Sequence, residues 1–334
     1  MVFTPVGNTL CALMLVLALS LGACAGSSAA QAAPAAPTEG VEIVYGEWRD
    51  AARDRVVPYK LYLPSARMPA PVVIFSHGLG GNREAASYLL EYLAANGFAA
   101  VSIQHPGTDE TLLRGGGGME RLRESVRDVR AAAARFGDVR FVIDQLEREN
   151  AGGVHAGRFD LSRIGMSGHS YGALTTLIAV GQRPAAGPAD RFRDFRIDAA
   201  IVYSPNAPRN QEPAAALGDI RTPILHLTGT ADRTPLDLEM TPEGRQIPFR
   251  TIAGADQFLI VFDGGDHMIF SGRVQRSGRM NAAQQAQTEA IRRESLTFWR
   301  AYLLEDASAL AAICGLPQRI DPIGTAEVKA ARCG

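Results

Sequence analysis

Lysine is nearly absent from this sequence. Only Lys60 and Lys329 occur, so 32 of the 34 basic residues are arginines. A P-loop needs a lysine behind a Gly-x-x-x-x-Gly run, and neither lysine stands in that setting. Schiff-base chemistry also needs a lysine, and two at opposite ends of the chain leave it little to work with. An excess of one charge sign is missing too. The formal net charge is −1 over 334 residues, which denies a nucleic-acid binder its usual basic surplus. The apolar run from Leu10 to Leu19 is ten residues long, about half of a bilayer span. Histidines are scarce, at positions 77, 105, 155, 169, 226 and 267, so any imidazole base comes from a short list. With 46% hydrophobic and 21% charged residues, a mostly disordered chain, a collagen and a multi-span membrane protein are excluded. The length suffices to bury a sizeable core.

Residues 9–24, TLCALMLVLALSLGAC, read as the apolar region of a secretory signal. Leu21-Gly22-Ala23-Cys24 resembles a bacterial lipobox, which implies a lipidated Cys24 as the new N-terminus and export to a membrane-anchored position in the periplasm or at the cell surface. The alternative is ordinary secretion, with cleavage after a small residue such as Ala30 or Ala33. Residues 25–40 are rich in Ala, Pro and Ser and read as a flexible tether. The expected organisation is a signal over 1–23, a lipidated cysteine and tether over 24–40, and one domain over 41–334. An oxidising compartment makes Cys314 and Cys333 a candidate disulfide; two free buried thiols are the other reading.

From residue 41 onward, short apolar runs alternate with helical patterns, which predicts a mostly parallel sheet covered by helices on both faces. Strands are expected at 41–47, 56–63, 71–76, 98–103, 163–168, 199–204, 223–229 and 258–263, the first two as an antiparallel pair. A helix is expected over 84–95, and a last one over 282–304 with Ile291, Phe298, Trp299 and Tyr302 facing inward. Residues 105–160 form a long excursion with the glycine run Gly115–Gly118, read as a lid-like loop at the edge of a site. Within it, Leu122, Val126 and Val129 make one apolar stripe, and Val139, Ile143 and Leu146 another.

Gly168-His169-Ser170-Tyr171-Gly172 fits Gly-x-Ser-x-Gly, entered by the strand RIGMSG and left by the helical ALTTLIAV. A strand turning sharply into a helix exposes the central side chain, so Ser170 reads as a nucleophile with the Tyr171 N–H aimed at a developing oxyanion. A serine hydroxyl needs an adjacent base. The histidines after Ser170 are His226, inside a strand, and His267, in the loop GGDHM, so His267 is the base. The orienting acid should follow an earlier strand, and Asp232 in LTGTADRTP does, with Asp237 as fallback; Asp266 is too close in sequence to His267 to orient it. A second oxyanion donor is expected from Ser76-His77-Gly78-Leu79-Gly80-Gly81, and Leu79 N–H is the choice. His77 and His169 read as loop-holding residues, and His105 as one that lines the site. The acyl pocket is expected from residues 105–140 and 205–220.

The segments RVVPYKLYLP, FSHGLGG, QHPGTDE, GMSGHSYGA, LTGTADRTP, GGDHMIFSG and FWRAYL together resemble the α/β-hydrolase superfamily over roughly residues 55–305. Within it, the chain is similar to the dienelactone-hydrolase-like and platelet-activating-factor-acetylhydrolase-like esterases. It carries Ser170 where classical dienelactone hydrolases carry cysteine. The resemblance implies an α/β-hydrolase fold and a Ser170–His267–Asp232 triad that cleaves small-molecule or lipid esters through an acyl-enzyme, with neither metal nor organic cofactor. A peptidase, an amidase or a polyesterase on the same fold is the alternative, followed by an idle envelope lipoprotein used for binding. Nothing in the sequence sets the oligomeric state.

Overall fold

The computed structural model describes residues 40–114, 117–236 and 239–334. Among them, β1 (Val41–Asp50) and β2 (Arg55–Pro64) form an antiparallel hairpin across Ala51–Asp54. Then come β3 (Ala70–Ser76), α1 (Ser87–Ala95), β4 (Ala99–Ile103), α2 (Gly118–Arg127), α3 (Val129–Gly152), β5 (Phe159–His169) and α4 (Tyr171–Ala179). They are followed by β6 (Ile197–Tyr203), α5 (Pro213–Leu217), β7 (Ile224–Ala231), α6 (Ile247–Thr251) and β8 (Gln257–Asp266). The chain closes with α7 (Arg273–Arg276), α8 (Ala282–Leu303), α9 (Ala307–Cys314), α10 (Leu316–Ile320) and β9 (Gly324–Lys329).

The strands form one sheet in the order β1-β2-β4-β3-β5-β6-β7-β8-β9. From β4 to β8 neighbouring strands are parallel, and β2 and β9 join the two edges antiparallel. The parallel strands read as unbroken apolar runs because both of their faces are covered. Every residue of β3 and of β4 is buried. On one face, Leu89 and Leu93 of α1 and Ile291, Phe298 and Trp299 of α8 pack on Val73, Phe75, Ile201 and Phe258. On the other, Val139, Ile143 and Leu146 of α3 and Leu177 of α4 pack on Val72, Ile74, Met166 and Val202.

Four expectations change. The first helix begins at Ser87 and not at 84, because the Asn82 side chain caps Glu84 N and Ala86 takes a left-handed φ of 55°. The excursion over 105–160 is mostly not a lid: α3 is a sheet-covering helix, and β5 has already begun at Phe159. The stripe Leu122–Val126–Val129 does not hold. Leu122 is buried, but Val126 and Val129 are 36% and 72% exposed. Asp128 is the reason at Val129: it leaves the helical conformation and caps α3, its side chain accepting from Arg130 N and Ala131 N. A stripe counted across that break does not stay on one face. Lastly, α8 is followed by α9, α10 and the edge strand β9, none of which was expected. The polar, half-buried GTAEVK of β9 offers no apolar run to mark it. Cys314 and Cys333 are bonded across a separation of 19 residues, tying this addition to itself and contributing about 3 kcal/mol by chain entropy.

Candidate active site

Strand order reverses at β3: the chain runs outward to β4, then returns to place β5 on β3's other side. Such a switch point opens a crevice at the carboxyl ends of the two strands. The loop His77–Gly81 leaves β3 there, and Ser170 leaves β5 there.

Ser170 is the single residue between β5 and α4, with φ 58° and ψ −112°. A non-glycine residue held at positive φ stores strain, and here it lifts the hydroxyl out of the turn. The flanking glycines are required by space. A Cβ on Gly172 would run into the Ser76 carbonyl, and one on Gly168 into the carbonyls of Gly172 and Ser76. Gly172→Ala is therefore expected to destabilise the fold by about 3 kcal/mol or more, because rigid backbone must move. Gly152→Ala, at a helical glycine with open space around it, is expected to be neutral or slightly stabilising. Urea denaturation of both variants checks this; equal stability would mean that the elbow has room.

His267 follows β8, and Asp232 follows β7. The His267 Nδ1 lies 2.7 Å from Asp232 Oδ1, and its Nε2 lies 3.0 Å from Ser170 Oγ. A carboxylate only accepts, so Nδ1 carries the proton and Nε2 is left to accept from the serine hydroxyl. Asp232 is fully buried. Its Oδ2 accepts from Thr228 Oγ1 at 2.7 Å, while Arg245 Nε lies 2.7 Å from Oδ1. Burial pushes its carboxyl up, but the hydrogen bond from His267 and the Arg245 charge outweigh burial and hold it below the usual carboxylate value. Asp266 turns away and caps Met268 N and Ile269 N. Asp237, the fallback acid, lies outside the described residues, as does Cys24.

The remaining histidines of interest are fixed elsewhere. His226 is buried against Gln257 Oε1. His169 donates through Nε2 to the His267 carbonyl at 2.8 Å, so it holds the base's backbone in place. His77 donates through Nδ1 to the Gly78 carbonyl and accepts from His105 N. His105 does not line the site. It is fully buried, donating through Nδ1 to Asp138 Oδ2 and accepting from Ser76 Oγ. Burial pushes His105 and His226 down to about 4 and His169 to about 3, so these three stay neutral and exchange no protons at neutral pH.

A cavity of about 550 Å³ opens over Ser170 and His267. Leu79 lines it, as do Leu113, Met119, Leu122, Leu236 and Met268. Tyr171 is the first residue of α4, where backbone N–H groups have no intrahelical acceptor. Of the excursion, only residues between Glu110 and Leu122 reach the cavity. Residues 205–220 do not line it: Ala216, Leu217 and Ile220 go into the core, and Asn206 binds Arg245. Two residues near the site escaped the sequence reading, Arg245 and Arg135. In a chain this rich in arginine, nothing marks two of them as buried. No cluster able to hold a metal ion occurs among the described residues.

Residues 60–111, from β2 to the turn beyond β4, match the family described as platelet-activating factor acetylhydrolase, isoform II. No curated protein matches the chain. Among solved structures, it is similar to a ferulic acid esterase from Streptomyces cinnamoneus, at 22% identity and a TM-score of 0.57, over 82% of this chain and 93% of that one. With its mostly parallel sheet, its helices on both faces and its strand–serine–helix elbow, the chain has the α/β-hydrolase fold.

Proposed function

We propose that this protein is a serine hydrolase of carboxylic esters. The observation that carries the reading is the chain of contacts from Ser170 Oγ through His267 to Asp232, at 3.0 and 2.7 Å. In this mechanism His267 Nε2 takes the Ser170 proton as Oγ attacks the ester carbonyl. The oxyanion meets the N–H groups of Leu79 and Tyr171, each such donor being worth about 2.7–4 kcal/mol. His267 then returns the proton to the leaving alcohol. Water, deprotonated by the same imidazole, releases the acid from the acyl-enzyme. The acetylhydrolase family match over 60–111 and the ferulic acid esterase neighbour support ester chemistry. The apolar part of the cavity wall suits an uncharged acyl or aryl group of a small-molecule or lipid ester, while Glu110, Arg114, Arg273 and Arg276 give the same wall charged groups. We also carry forward, from the sequence, export of the chain with a lipid on Cys24 and one domain over 41–334.

The test is turnover of a p-nitrophenyl ester series beside the matching anilides, with the labelled site mapped after a fluorophosphonate probe. Ester turnover with the probe on Ser170 is expected. Labelling of a different serine would overturn the assignment, and anilides cleaved as fast as esters would favour an amidase.

A further inference from the structure

Arg135 of α3 is fully buried, yet every acceptor it meets is neutral. Its Nε donates to Thr175 Oγ1 at 2.8 Å, Nη1 to Thr108 Oγ1 at 2.9 Å, and Nη2 to Ser76 Oγ at 2.8 Å and to the His77 carbonyl. Each hydroxyl sends its own proton onward: Thr175 to the Tyr171 carbonyl, Thr108 to the His105 carbonyl, and Ser76 to His105 Nε2. All three therefore turn a lone pair to the guanidinium. Asp138, one turn further along α3, is taken by Arg53, Arg55 and His105. Burial lowers the guanidinium's pKa to about 10, so it remains charged at neutral pH. The charges of Asp138 and Asp109 act on it without forming an ion pair, and a buried cation lacking a direct carboxylate partner costs several kcal/mol, which calls for a reason to keep one here.

Its position supplies the reason. The His77 carbonyl stands two residues before Leu79, and Thr175 is bonded to Tyr171 within the first turn of α4. The guanidinium carbon also lies 4.7 Å from the centre of the Tyr171 ring. Arg135 thus bridges the two segments that carry the two oxyanion donors.

We propose that Arg135 is the positioning residue of the oxyanion hole: it locks the loop after β3 against the start of α4, and its charge is offset when the ester oxygen turns negative. This rests on the Ser170 reading above. A charge matched in the transition state and not in the ground state raises kcat and leaves KM alone.

The experiment measures kcat and KM of the full chain on a short-chain p-nitrophenyl ester, together with the affinity of a boronic acid that forms a tetrahedral adduct on Ser170. For Arg135→Met, kcat is expected to fall about 30- to 100-fold with KM within about threefold, and boronate affinity to fall by a similar factor. Arg135→Lys, which keeps the charge but loses the fork, is expected to recover at least about fivefold of kcat. A folded Arg135→Met with kcat within threefold of wild type, a loss in KM alone, or no recovery with lysine would each overturn the proposal. Should Arg135→Met fail to fold, Thr175→Val removes one acceptor and the link to Tyr171; there an unchanged kcat overturns the proposal, and a fall of about fivefold at constant KM supports it. Wild type without turnover or Ser170 labelling would overturn the hydrolase reading and this one together, whereas an active wild type beside an unimpaired Arg135→Met overturns this one alone.

Discussion

Ser170→Ala is expected to lower kcat by about a million-fold, the scale of loss when a nucleophile that works as a unit with its base is removed. The remainder, on the order of a thousandfold over water, would come from the oxyanion donors and from substrate positioning. Stability should move little. Alanine takes the same positive φ as serine, so the elbow strain is unchanged, and the glycines that make room for the turn remain. The one bond lost is from Oγ to His267 Nε2, whose other nitrogen stays on Asp232 and whose freed side faces the cavity, where water can serve it. Thermal melting and active-site titration, read together, separate chemistry from folding. A melting point near wild type with turnover lost is the expected pair. Turnover within a hundredfold of wild type would mean that another group attacks the ester.

The parts of this site legible from sequence are those whose chemistry forces a local signature. Gly168 and Gly172 are written into the chain because no side chain fits there. His267 could be reached by elimination because histidine is scarce. Asp232 was reachable because an acid must stand just past a strand to meet a base just past the next. The sheet was legible for a related reason, since strands buried on both faces have no polar alternation. What escaped lacks such a signature. The edge strand β9 is half polar because it is half exposed. The break at Asp128 turns on one capping carboxylate, which a count of apolar spacing passes over. Arg135 and Arg245 look like any surface arginine until the fold buries them, because their partners lie far away in sequence: Ser76, His77 and Thr175 for one, Asp232 and Asn206 for the other.

Asp232→Asn is expected to cost about ten-thousandfold in kcat, since an amide does not hold the imidazole in the required tautomer or offset its charge when it protonates. It should cost stability as well, which sets it apart from Ser170→Ala. The same Oδ1 that accepts from His267 also faces the buried Arg245 guanidinium, and stripping a buried ion pair of one partner costs about 3–5 kcal/mol. The pH dependence follows in sign. The folded-state pKa of Asp232 lies below 3.8, so its contribution is complete above the unfolded value and is lost as pH falls through the folded one. Urea denaturation at neutral pH should therefore show the full gap between wild type and Asp232→Asn, and the gap should narrow as pH drops below about 4. A gap unchanged down to pH 2 would place the stability loss in packing and not in charge. A second route to the same quantity is the cycle with Arg245→Met. If the carboxylate's worth to the fold includes its pairing with that guanidinium, the two single losses added together should exceed the loss in the double variant, because the shared pairing is then counted once. Its kcat should stay near the Asp232→Asn level, because the base remains without its orienting carboxylate.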